Sequence, residues 1–158
     1  MKRILTVATI MAALVPGILP AQSNPFIGTW KENTAKSKDN SGPIPKSRTL
    51  TFEAQGNGVK GSSDGEAADG SRFAYNYTAN YDGKDNPISG TGVPNGADTL
   101  TMKRIHPNTI EMTWKRTGKV VLTSRLVVSK DGKGLTITSK GTDPSGLPTS
   151  RTLVFEKQ

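Results

Sequence analysis

Apolar side chains along residues 24–158 recur at every second position. In 109–116, Ile110, Met112 and Trp114 alternate with Thr109, Glu111, Thr113 and Lys115. In 47–53, Leu50 and Phe52 share a side with Arg48, against Thr49, Thr51 and Glu53. Phe73, Tyr75 and Tyr77 repeat the pattern in 71–77, and Leu100 and Met102 in 98–104. A period of two is the signature of a strand with one dry and one wet face. No stretch after residue 23 places apolar residues at helical spacing for three turns, so helix is predicted to be nearly absent. Strands are predicted at 26–32, 47–54, 58–63, 71–81, 98–105, 109–117, 119–129, 134–140 and 149–157, each bounded by Gly, Asp, Asn or Pro. Asp64-Gly65, Asp69-Gly70, Asp82-Gly83, Asn95-Gly96 and Asp131-Gly132 supply the positive φ that tight turns require. The stretches 33–46 and 84–97 are rich in Pro, Gly and Asn and poor in apolar anchors. They read as long loops, either lids or plain connections.

Strands with a single dry face must curl over one shared interior. The predicted fold is therefore all-β, an antiparallel up-and-down β-barrel of about 8–10 strands, with a two-sheet sandwich as the alternative. An internal echo bears on the architecture. Ser-Arg recurs in four strands, at 47–48, 71–72, 124–125 and 150–151, and SRTLTFEAQ (47–55) returns as SRTLVFEKQ (150–158). A looser echo sets Val59–Gly70 beside Leu135–Gly146, with glycines at matching places. Two related meanders are expected rather than a solenoid, since only two copies exist.

The first 23 residues break the pattern. Lys2 and Arg3 precede an uncharged apolar run from Ile4 to Leu19, and small residues stand at Ala21 and Ser23. This reads as an export leader cleaved after 21 or 23, too short for a comfortable membrane span. One domain, 24–158, is expected to remain, periplasmic or extracellular, with no transmembrane segment. It contains no Cys, so disulfides, thiol catalysis and Cys-ligated metals are excluded. Loss of Lys2 and Arg3 leaves 19 basic minus 13 acidic side chains, a net charge of +6. The cations are spread over nearly every strand and turn, without a basic helix or interleaved aromatic platform. Specific nucleic-acid binding is not expected.

Phe26-Ile27-Gly28-Thr29-Trp30-Lys31 resembles the first strand of the calycin superfamily, the lipocalins and fatty-acid-binding proteins, which carries Gly-x-Trp. Val154-Phe155-Glu156-Lys157 resembles the last strand of intracellular fatty-acid-binding proteins. The chain also resembles small exported lipocalin-like proteins of bacteria. The resemblance implies a barrel closed at one end by Trp30 beneath an arginine of the final strand, for which Arg151 is the matching residue. It does not carry over a fatty-acid site. Leu153 and Phe155 stand where those proteins place the Arg and Tyr that hold a carboxylate, and 33–46 cannot form their helical lid.

Candidate chemistry is sparse. The single imidazole, His106, precedes Pro107-Asn108 in a predicted turn, which reads as a solvated turn residue rather than a catalytic base. One His and no Cys make zinc improbable, and no cofactor is expected. The acidic groups Asp64, Glu66, Asp69 and Asp82, Asp85 match no calcium loop and read as turn formers. Asn76-Tyr77-Thr78 fits a glycosylation sequon but falls mid-strand. The informative feature is arginine on the dry parity of its strand: Arg48, Arg104, Arg116 and Arg151. A charge facing a dry interior is costly unless paired. Two readings follow. Each arginine lays its stem on the core with its head in water, or together they line a positive barrel mouth walled by Tyr75, Tyr77 and Trp114. The expected function is non-catalytic binding of a small apolar or anionic amphiphilic ligand, inside the barrel or at its mouth. The alternative is a structural or interaction protein of the cell envelope whose barrel is filled by its own side chains.

Overall fold

The structure, a computed structural model, describes residues 23–158; the leader expected at 1–23 lies outside it except for Ser23. Eleven strands run β1 (Gly28–Glu32), β2 (Lys38–Asp39), β3 (Ser47–Gln55), β4 (Gly58–Glu66), β5 (Arg72–Asn80), β6 (Asn86–Thr91), β7 (Thr99–His106), β8 (Thr109–Arg116), β9 (Lys119–Val128), β10 (Gly134–Thr142) and β11 (Pro148–Lys157). From β3 onward each strand pairs antiparallel with its successor. β1 closes the ring, pairing Trp30 with Leu50 of β3 on one side and with Lys157 of β11 on the other. The barrel therefore has ten strands. After one turn at 33–36 the chain rejoins β11 as β2, where Asp39 faces Arg151 and Lys38 faces Thr152. Ser37 bridges the interruption: its Oγ donates to Asn33 O and accepts from Val154 N. Among the described residues no helix is long and apolar enough to cross a membrane.

Sequence and structure agree on nine strands within a few residues, and differ where alternation is weak. β2 and β6 lie inside the stretches read as loops. β6 carries Pro87 and Gly90 and pairs with β7 through only two residue pairs, Asn86 with Leu100 and Pro87 with Thr99. Asp64-Gly65 is not a turn. Pairing of β3 with β4 continues through Arg48 and Gly65 to Ser47 and Glu66, and the chain reverses at 67–70 instead.

The looser internal echo is realised as a shared turn. Gly70 has φ +89 and Gly146 φ +91, and in both turns the glycine N–H donates three residues back, to Ala67 O and to Asp143 O. A backbone with positive φ favours glycine at both places. The longer echo also has a structural place, since its two copies, β3 and β11, flank β1.

Burial follows the predicted parity. Leu50, Phe52, Leu100, Met102, Ile110, Met112, Trp114, Leu153 and Phe155 are all buried. Large apolar groups fill the end where β1 begins: Phe26, Trp30 and Phe155 are fully buried there with Leu135 and Val59. Toward the other end the inward positions become smaller and more polar, with Ser63, Ser124 and Ser139 buried. The rings of β5 lie over glycines of β4. Tyr77 faces Gly61 and Phe73 faces Gly65, and a Cβ on either glycine would stand 2.4–2.7 Å from the ring. An aromatic side chain covering a cross-strand glycine keeps that stretch of sheet packed without a side chain of its own.

Candidate binding site

The two ends of the barrel differ. At the end where β1 begins, the Trp30 indole donates to Phe26 O at 2.9 Å and is fully buried. The cation above it is Lys157, whose Nζ lies 5.0 Å from the ring centroid. Arg151 is not there, contrary to the expected Trp30–Arg151 closure. The pairing of Trp30 with Lys157 places Arg151 six residues farther along β11, about 20 Å away at strand rise. Arg104 does lie at the Trp30 end, 4.3 Å above the Tyr81 ring, with its Nη1 donating to Pro107 O at 3.0 Å.

The opposite end opens into a cavity of about 440 Å³, within the range of small-ligand sites. Arg48, Arg72 and Arg151 supply its cations, and Phe73 and Tyr75 its aromatic surface. Pro43 and Pro45 reach it from one long connection, Gly92 and Pro94 from the other. The second connection is held in place by Asn95. Its Nδ2 lies within hydrogen-bond distance of Val121 O, Thr142 O and Thr149 Oγ1, and its Oδ1 accepts from Arg151 Nη2 at 2.9 Å.

Arg151 also donates to Ser41 Oγ and lies 3.5 Å from Asp39. Burial works against its charge, and Asp39 offsets that effect. Arg48 lies over the Phe73 ring, 5.6 Å from its centroid, with Nε 3.6 Å from Glu32 Oε2. That contact is an ion pair too long to be a hydrogen bond. The Glu32 side chain is wholly buried, and among the described residues neither oxygen has a hydrogen-bond donor within bonding distance. Burial pushes its carboxyl above the ordinary range, opposed by Arg48. Arg72 has no acidic group within ion-pair distance among the described residues, although it is exposed at the same rim.

Below the mouth the barrel is almost solid. The internal cavity is about 40 Å³, bordered by Phe52, Ser63, Tyr75, Tyr77, Trp114 and Ile137. On this measure a single water needs about 10–15 Å³, so the space admits a few waters and no long alkyl chain. Trp114 donates to Ser124 Oγ at 3.1 Å, and Ser124 Oγ lies 2.8 Å from Ser139 Oγ. Tyr75 and Tyr77 both meet the Trp114 ring edge-on, with centroids 6.2 Å apart. Of the seven residues singled out for a ligand, Arg48, Tyr75 and Arg151 therefore meet at the mouth. Tyr77 and Trp114 lie beneath it in the core, Arg104 lies at the far end, and Arg116 borders an outer groove with Thr117 and Lys119.

Phe73, Arg72, Asn95 and Glu32 were missed as site residues. Glu32 shares the inward parity of Trp30, and that is a signal legible in the sequence. The Asn95 contacts join residues 26–56 positions apart and leave no local pattern.

The buried carboxyl has a testable consequence. Since the folded pKa of Glu32 is raised, the native state binds more protons than the unfolded chain just above the ordinary carboxylate pKa, and stability falls as pH rises through that window. Asp69, Asp131 and Asp143, held low chiefly by serine hydroxyls, act in the opposite sense in parent and variant alike. In urea unfolding, the parent should lose stability relative to Glu32→Gln as pH rises above about 4.5, the ordinary carboxylate value. Parallel profiles would contradict the raised carboxyl.

No family model matches the chain, and no curated protein matches its sequence. Solved structures do resemble it. Rv2717c from M. tuberculosis superposes with a TM-score of 0.53 at 14% identity, covering 85% of this chain and 93% of that one. A redesigned β-barrel, mFAP1, solved bound to DFHBI, gives 0.50 at 12% identity, covering 84% and 95%. Zebrafish ileal bile acid-binding protein, solved with cholic acid, gives 0.48 at 10% identity, covering 85% and 99%. At these identities the likeness concerns the fold alone, and with the strand order it establishes a closed antiparallel β-barrel.

Proposed function

We propose that the protein is an exported, non-catalytic binding protein that holds a small amphiphilic anion at the mouth of its barrel. The observation that carries this reading is the 440 Å³ cavity lined by Arg48, Arg72 and Arg151 beside Phe73 and Tyr75. Within that lining the one acidic side chain is Asp69, whose carboxylate is engaged by the Ser71 N–H and hydroxyl. Apolar walls with a few convergent polar groups are the usual make-up of small-molecule sites. A barrel of similar fold, mFAP1, was solved with a small molecule bound. The non-catalytic reading is supported by His106, which is exposed on the β7–β8 turn at the end away from the mouth. Export rests on the pattern of residues 1–23.

The filled-barrel reading has its own observation, the 40 Å³ interior. Titration with anilinonaphthalenesulfonate, an aromatic anion that fluoresces when desolvated, separates the two. Mouth binding predicts saturable, single-site enhancement, weakened about twofold to fivefold in Arg72→Met with circular dichroism unchanged. No saturable enhancement would favour the filled barrel.

A further inference from the structure

Resting on the mouth-site reading, we infer that the ligand is a compact, planar aromatic anion, and that Tyr75 is the floor that excludes long alkyl chains. Tyr75 lines both the mouth cavity and the 40 Å³ space beneath it, so its ring is the partition between them. A chain long enough to outgrow the mouth must either push past Tyr75 into a core with room for no more than a few waters or stay in solvent. The first route overpacks a filled interior and the second leaves apolar surface wet. A short aromatic ring meets neither obstacle.

The walls favour flat ligands as well as short ones. Phe73 already carries the Arg48 guanidinium on its face, and Pro43, Pro45 and Pro94 present rigid rings around the opening. A planar ring stacks on aromatic and guanidinium faces with little rotamer entropy to lose, whereas a flexible chain gains no such geometry. The head group is met by Arg72, which has no ion-pair partner among the described residues. Arg48 and Arg151 stand beside it with ion pairs of 3.6 and 3.5 Å to the acids behind them. Guanidinium forks suit carboxylate or sulfonate equally.

Competition against bound anilinonaphthalenesulfonate tests this, using naphthoate and laurate as probes. Naphthoate should displace the dye at about one-tenth the concentration that laurate needs. In Tyr75→Leu, which thins the floor while keeping an apolar side chain, the ratio should narrow because laurate improves; a merely structural role for Tyr75 would weaken both probes alike. Tyr75→Phe removes only the hydroxyl and should keep the parent ratio. Laurate matching or exceeding naphthoate in the parent would overturn the inference while leaving the mouth site standing. Failure of the dye itself to bind would instead remove the mouth-site reading.

Discussion

Trp30→Ala is expected to lower the folding free energy by about 3–5 kcal/mol, a large share of the about 5–15 kcal/mol that holds a domain folded. The indole is fully buried, and the strand that carries it is hydrogen-bonded on both sides, to β3 and to β11. Its removal therefore leaves a hole where the ring of strands closes, lined by groups the sheet cannot draw together. Trp30→Phe should recover part of the loss, leaving Phe26 O without its donor and a smaller void beside it, for a net deficit of about 1–3 kcal/mol. Urea denaturation reads both values. An alanine variant within 1 kcal/mol of the parent would contradict the closure of the barrel around this side chain.

The second large effect comes from adding one carbon. Gly141→Ala is expected to destabilise by about 1–3 kcal/mol, because the new Cβ would stand 2.0 Å from Val121 O and 2.8 Å from Leu122 Cα. Both are backbone atoms of the neighbouring strand, so no side chain can swing aside, and β9 and β10 must part. Gly65→Ala should behave alike, with its Cβ 2.1 Å from Ser47 O. Gly42→Ala, where nothing lies within 4 Å, should change stability by less than about 0.5 kcal/mol. Thermal melting of the three variants compares them, and a tolerated Gly141→Ala would contradict so close an approach of β9 to β10.

Much of the barrel is legible in the chain because period-two alternation is a local property. Arg48, Leu50 and Phe52 declare their side of β3 within five residues, and the same holds for Ile110, Met112 and Trp114. The turns at Gly70 and Gly146 are legible for a related reason, since each needs a residue type the sequence displays. β2 and β6 are not, because two residues, or six interrupted by Pro87 and Gly90, gain their strand geometry from β11 and β5 and not from their own alternation. The site is harder still. Inward-facing arginines are visible from parity, but which end of the barrel each occupies depends on register. Arg104 and Arg151 therefore sit at opposite ends although both read as rim residues. That the interior is nearly solid depends on side chains from many strands meeting at once, and no single segment records it.

Nuclear Overhauser contacts from the ring protons of naphthoate to the protein locate the ligand without reference to any affinity. The mouth site predicts contacts to Phe73, Tyr75 and Pro94, with the Trp114 indole N–H, held by Ser124, left where it stands in the free protein. Contacts to Met112, Trp114 or Ile137 beneath Tyr75 would place the ligand inside the barrel and contradict a site confined to its mouth.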